Sequence, residues 1–90
     1  MPEYHAAFYR LPEDDGWYVV SILDFPGVNT QGRTLREARV MVKDALQLMV
    51  ESYLEEGRNL PKPNPRASDP AAKRIEKVCL QVRVQRPVPA

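Results

Sequence analysis

The chain has 90 residues, 28% of them charged, and a formal net charge of +1. That length gives one small domain that buries about 60–65% of the surface its unfolded form exposes, and the near-neutral balance supplies no strong overall footprint for nucleic acid. No apolar run approaches the ~18 residues of a membrane span. The start, MPEYHAAFYR, lacks the basic-then-apolar pattern of a secretory signal. A single cysteine, Cys79, excludes an internal disulfide and points to a reducing cytoplasm.

Glu3 to Arg10 reads as a strand, with Tyr4, Ala6 and Phe8 on one face and His5, Ala7 and Tyr9 on the other. The polar turn Pro12-Glu13-Asp14-Asp15-Gly16 closes a β-hairpin onto a second strand, Trp17 to Ile22. That strand sets Trp17 and Val19 against Tyr18, Val20 and Ile22. Phe25-Pro26-Gly27-Val28 suits a type II turn, because Pro26 presets φ and Gly27 accepts positive φ. Val28 to Gln31 is a short third strand.

Thr34-Leu35-Arg36-Glu37 has the form of a capping box that opens a helix. Leu35, Ala38, Val42, Ala45, Met49 and Tyr53 recur at steps of three and four, and Leu46 and Leu48 widen the stripe. Gly57 suits the position just past the helix end. The helix then has about 22 residues and a length of roughly 33 Å. Pro61, Pro63, Pro65 and Pro70 forbid regular helix or central strand, so 58–74 is an extended connection with one short turn around Asp69-Pro70-Ala71-Ala72. Lys77 to Gln85 alternates cleanly, with Val78, Leu80, Val82 and Val84 facing one way, and reads as a fourth strand. One domain over 1–86 follows, with a disordered tail over 87–90.

The order β-β-β-α-β makes a two-layer α+β fold. A helix joining two strands of one sheet is normally a crossover to a parallel neighbour. The expectation is therefore a mixed four-stranded sheet of order 3-2-1-4, the last strand parallel to the first, with one long helix on one face.

Two-metal nuclease chemistry needs converging carboxylates, and the first strand has none in its middle, while Asp24 stands alone at a strand end. A His5–Cys79 dyad lacks an orienting acid and an oxyanion hole, so both read as ordinary strand residues. No glycine-rich phosphate loop exists. Arg33, Arg36, Arg39 and Lys43 form a basic stripe on the early helix, and Glu51, Glu55 and Glu56 gather at its end, against the helix macrodipole at both ends. The first two strands carry apolar groups on both faces, which one helix cannot cover. Tyr18, Val20 and Ile22 are the candidate interface, and assembly into a dimer or larger oligomer is expected. These features point to a binding module with no enzymatic activity, no metal and no cofactor.

The segment Gly16 to Ala38, GWYVVSILDFPGVNTQGRTLREA, resembles the N-terminal domain of HicB-type antitoxins, whose pattern reads roughly G-Y-V-V-S-x-P-D-L-P-G-C-x-T-Q-G-D-T-L-E-E-A. The resemblance implies a partial RNase H-like fold and a cytoplasmic bacterial toxin–antitoxin system. It further implies stoichiometric inhibition of a HicA-type mRNA-cleaving toxin by occlusion of its catalytic histidine. It marks Asp24, Phe25, Pro26, Gly27, Thr30 and Gln31 as family-motif residues and candidate partner contacts, and Gly32, Thr34 and Glu37 as structural. Val28 stands where the family often has cysteine, and Arg33 where an acid is common. Family members commonly append a DNA-binding domain after this module. The chain ends at Ala90, so direct DNA binding is not expected. A stand-alone small-ligand or regulatory binding protein of the same fold is the alternative.

Overall fold

The computed structural model describes residues 2–10, 12 and 16–80. Its elements run β1 (Glu3–Arg10), β2 (Tyr18–Ile22), β3 (Asn29–Gly32), α1 (Leu35–Glu55) and β4 (Arg74–Cys79). They form one four-stranded sheet of order β3-β2-β1-β4, as expected. The acidic turn at Glu13 to Asp15, the continuation of the last strand to Gln85 and the tail over 87–90 lie outside the described residues.

Local chemistry sets the element ends. Gly27 has φ +89°, and Val28 N–H donates to Phe25 O at 3.4 Å to close the turn. Thr34 is the N-cap, and its hydroxyl accepts from Glu37 N–H at 3.0 Å. The return bond from the Glu37 carboxylate is absent among the described residues, so half of the capping box forms. At the other end, Gly57 lies at φ +67°. Its N–H donates to Leu54 O, and Arg58 N–H donates to Tyr53 O at 2.8 Å. This pair of bonds is a Schellman motif. Gly32 is required for a different reason. A Cβ there would lie 2.5 Å from Ala38 N and 2.8 Å from its Cα, so only glycine lets β3 and α1 approach this closely.

The core lies between α1 and one face of the sheet. Tyr4, Ala6 and Phe8 of β1, Val20 and Ile22 of β2, and Val78 of β4 meet Ala38, Val42, Leu46 and Val50 of α1. The buried helix row therefore advances in steps of four. Leu35, Ala45, Met49 and Tyr53 flank it half-buried, and Leu48, expected inside, points to solvent.

Two expectations are corrected. The first is the direction of β4, which pairs antiparallel with β1, Tyr4 opposite Val78 and Phe8 opposite Arg74. The sheet is therefore wholly antiparallel rather than mixed. The proline-rich connection is the cause. It leaves the helix beside Tyr4, whose hydroxyl donates to Pro61 O at 2.7 Å. It then reaches Tyr9, whose hydroxyl donates to Asp69 at 2.7 Å, and Lys73 N–H donates to Phe8 O at 2.7 Å. The connection thus travels along β1 in the direction of β1, and β4 must return against it. The crossover rule assumes that the chain joins the sheet straight from the helix, and here it does not. The short turn at Asp69–Ala72 forms as expected, closed by Ala72 N–H to Asp69 O at 3.0 Å.

The second correction concerns the open apolar face. Val20 and Ile22 are buried under α1, and Tyr18 packs half-buried against the same core. They lie on the helix side, where Val20 and Ile22 offer no free surface and Tyr18 only part of its own. On the far side, Ala7 is nonetheless 0% exposed. The connection covers it as a strap, with Pro63 and Pro65 beside His5 and Asp69 bonded to Tyr9.

Candidate functional site

The family-motif residues gather where β2 turns into β3, and most of them are structural. The Asp24 side chain is 1% exposed. Its Oδ1 accepts the His5 backbone N–H at 2.8 Å. Its Oδ2 accepts from His5 Nδ1 at 2.8 Å and from Asn64 N–H at 3.0 Å. A carboxylate only accepts, so it fixes the proton of His5 on Nδ1. Burial pushes the Asp24 carboxyl up. The bonds from the His5 backbone and ring and from Asn64 outweigh that effect and hold it below the ordinary aspartate range. Asp24 thereby clasps the strap to the sheet, and its carboxylate is unavailable to a partner.

Phe25 is fully buried and stands edge-on between Tyr4 and Tyr53, with ring centroids 5.1 Å apart in each pair. Pro26 and Gly27 are exposed at the turn, Thr30 is half-buried, and Gln31 is exposed opposite Val19. Of the motif, only Pro26, Gly27 and Gln31 present open surface. Sequence reasoning did not place His5 and Asn64 in this site. They lie 19 and 40 residues from Asp24. A histidine in mid-strand beside a lone aspartate at a strand end was the available signal, and a strap residue contributing only its backbone N–H leaves none.

His5 and Cys79 project from the same sheet face. Lys77 stands opposite His5, while Cys79 stands opposite Glu3. The thiol contacts the Glu3 carboxylate at 3.5 Å. That bond raises the thiol pKa, the reverse of what nucleophilic activation needs. Among the described residues, no three His, Cys, Asp or Glu side chains converge as a metal-binding group.

The basic stripe of α1 divides in the fold. Arg33 lies 5.2 Å over the Trp17 ring. Arg39 grips Glu76 of β4 through Nε at 2.9 Å and Nη2 at 2.7 Å, and Arg74 joins the same carboxylate at 2.8 Å. Arg36 and Lys43 stay exposed. Between this flank and β4 lies a groove of about 340 Å³ with Phe8, Val42 and Val78 among its lining residues. The outward face of α1 carries a different row. Glu37, Asp44, Glu51 and Glu55 are all exposed, and so are Val40, Met41 and Leu48 between them. No helix is long and apolar enough to cross a membrane among the described residues.

Comparison with known proteins places this geometry in a family. The family described as HicB-like antitoxin of bacterial toxin–antitoxin system matches residues 3–89. A UPF0150 protein of Thermoplasma acidophilum is 36% identical over 52 residues, which is 58% of this chain and 75% of that protein. Antitoxin HicB of Escherichia coli K12 is 41% identical over 54 residues, 60% of this chain and 39% of the antitoxin. The match thus spans about two fifths of that antitoxin's length. The crystal structure of the N-terminal domain of Burkholderia pseudomallei antitoxin HicB superposes with TM-score 0.74 over 89% of this chain and 99% of that one, at 22% identity. That likeness carries the fold. The profile running almost from end to end carries the family, and this chain belongs to the HicB-like antitoxins.

Proposed function

We propose that the chain is an antitoxin module that binds and inhibits a HicA-type mRNA-cleaving toxin. The family match over 3–89 carries this reading. The site's chemistry agrees with it, because the motif residues Asp24 and Phe25 serve the fold and the side chains of His5 and Cys79 are bonded to different carboxylates, Asp24 and Glu3. Inhibition is stoichiometric. The module docks on the toxin and closes off its catalytic histidine from RNA. Its setting is the cytoplasm, where mRNA is found. Self-association through the free edges of β3 and β4 belongs to the same proposal. Sedimentation showing only monomer at micromolar concentration would remove that part.

The test is co-expression with HicA-type toxins, starting from any small basic protein encoded in an adjacent reading frame. Growth rescue together with a stable purified complex is the expected result. Absence of both, with soluble folded chain present, would reject the antitoxin reading and favour a stand-alone binding protein.

A further inference from the structure

The outward face of α1 holds residues that the fold does not need. The core is satisfied by Ala38, Val42, Leu46 and Val50. Yet Val40 is 55% exposed, Met41 41% and Leu48 67%, and α1 also supplies exposed Leu54. Of the large apolar side chains exposed among the described residues, only Ile75 lies elsewhere. Helix geometry aligns this set with the acids. Glu37, Asp44 and Glu51 follow at seven-residue steps and Glu55 four further on. Val40, Met41 and Leu48 fall between them at steps of three and four, so acidic and apolar groups alternate along one ridge. The ridge from Glu37 to Glu55 is about 27 Å long.

Local electrostatics explains Glu37, which lies in the first turn where the macrodipole favours an acid, but not Glu51 and Glu55. Glu51 and Glu55 sit toward the helix C-terminus, where the macrodipole disfavours negative charge, and the last turn has no basic residue. None of the four carboxylates joins an ion pair among the described residues. Among the described residues, the one side chain bonded to this row of carboxylates is Gln47, which donates to Glu51 at 3.2 Å.

Resting on the antitoxin reading, we propose that this ridge is the surface that meets the toxin, by seating against the toxin's basic RNA-binding surface. A ribonuclease that grips a phosphate backbone must present cations. Four carboxylates in a row complement such a surface, and Val40, Met41 and Leu48 supply the apolar contact that holds the complex once formed. The same charge row opposes the rival occupant. A second copy docking by this face about a two-fold axis would set four carboxylates against four. The ridge therefore selects a basic partner over itself.

The test uses the full chain and the HicA-type toxin with which co-expression pairs it, in a catalytically inactive form. Asp44→Lys with Glu51→Lys should slow association by about tenfold at low salt, with the difference shrinking at high salt. Met41→Ser with Leu48→Ser should speed dissociation by about tenfold and leave association nearly unchanged. All four positions are exposed, and circular dichroism melts check that the fold is retained. Gln31→Ala on the opposite sheet face should bind as wild type. Wild-type binding by both α1 variants would overturn the docking assignment and leave the antitoxin reading standing, as would loss of binding by Gln31→Ala alone. A change in self-association without a change in toxin binding would assign the ridge to a second copy and overturn the proposal. Failure of the wild-type chain to bind would reject the antitoxin reading together with this surface.

Discussion

The two faces of the sheet are covered by different physics. Under α1, close-packed apolar groups do the work: Tyr4, Phe8, Val20, Phe25, Val42 and Leu46 are all nearly inaccessible to water. On the other face, a strap without regular structure lies over His5, Ala7 and Tyr9. It is held by hydrogen bonds at a few points: Tyr4 to Pro61, Asn64 to Asp24, Tyr9 to Asp69 and Lys73 to Phe8. The helix face spreads its stability over many contacts that each matter a little. The strap concentrates it in a few polar anchors, of which the buried Asp24 clasp is the strongest. Substitutions on the two sides should therefore differ in size and in their response to pH.

The largest expected effect is on the helix side. Phe8→Ala should destabilise the domain by about 3–5 kcal/mol, the usual cost of deleting a buried aromatic ring. Total stability of a small domain is only about 5–15 kcal/mol, so chemical denaturation should show a transition at much lower denaturant or none. A loss below 1 kcal/mol would mean that the β1 face is not the core.

Next comes the clasp. Asp24→Asn should cost about 1–3 kcal/mol, because one amide oxygen cannot serve three donors and the amide NH₂ would face another donor. The pH dependence separates this from a packing loss. The folded carboxyl is held below the unfolded value of 3.8. Its contribution is therefore present above that value and is lost as pH falls through the folded pKa. The wild type should lose stability on acidification below about pH 4, and the limb should be shallower in Asp24→Asn, where Asp69 and Glu76 are the carboxylates still held low. Parallel acid profiles for the two proteins would contradict the clasp.

The same contrast explains which features were legible in the sequence. Features with local causes are readable: the Thr34 cap, the Gly27 turn and the Gly57 terminus. Val20 and Ile22 were recognised as apolar, but alternation alone cannot say which face a helix will cover. The apolar character of β1 on both sides signals that both need cover, and the expected cover is assembly with another copy. The cover turned out to be the chain's own strap rather than another molecule. β4 runs against the expected direction because the path of a proline-rich segment is set by distant anchors such as Tyr4 and Tyr9, which leave no periodicity. The spacing of Leu48 from Ala45 places it in the apolar stripe, while the buried row of Ala38, Val42, Leu46 and Val50 lies on the other side of the helix. Once Leu48 is placed outside, the seven-residue spacing of Glu37, Asp44 and Glu51 becomes visible as a ridge.

Thr34→Ala tests the helix side at its edge. Loss of the hydroxyl that accepts from Glu37 N–H should cost about 0.5–2 kcal/mol, or roughly 4–8 °C of melting temperature per kcal/mol for a domain of this size. An unchanged melting temperature would show that the helix start is held by the β3–α1 packing at Gly32 instead.

The smallest effect belongs to the outer anchor of the strap. Tyr9→Phe removes the hydroxyl that donates to Asp69 at 2.7 Å, and it leaves the ring in place over the sheet. The bond is partly exposed, so water replaces much of it and the loss at neutral pH should be smaller than that of Thr34→Ala. The alkaline limb is more telling. The bond to Asp69, burial and the Asp69 charge together push the phenol up to about 12 from its ordinary 10.0. The protonated phenol is favoured in the folded state, so its contribution is complete below pH 10.0 and is lost as pH rises toward 12. Wild type should therefore lose stability over that interval in excess of Tyr9→Phe, and the two curves should converge at its upper end. Hydrogen exchange supplies the spatial check. Amides of 69–73 should exchange faster in Tyr9→Phe, while those of α1 stay protected, because the strap opens locally without unfolding the core. Equal acceleration in both regions would show that strap and helix form one cooperative unit, and the contrast between the two faces would then be one of chemistry without a difference in dynamics.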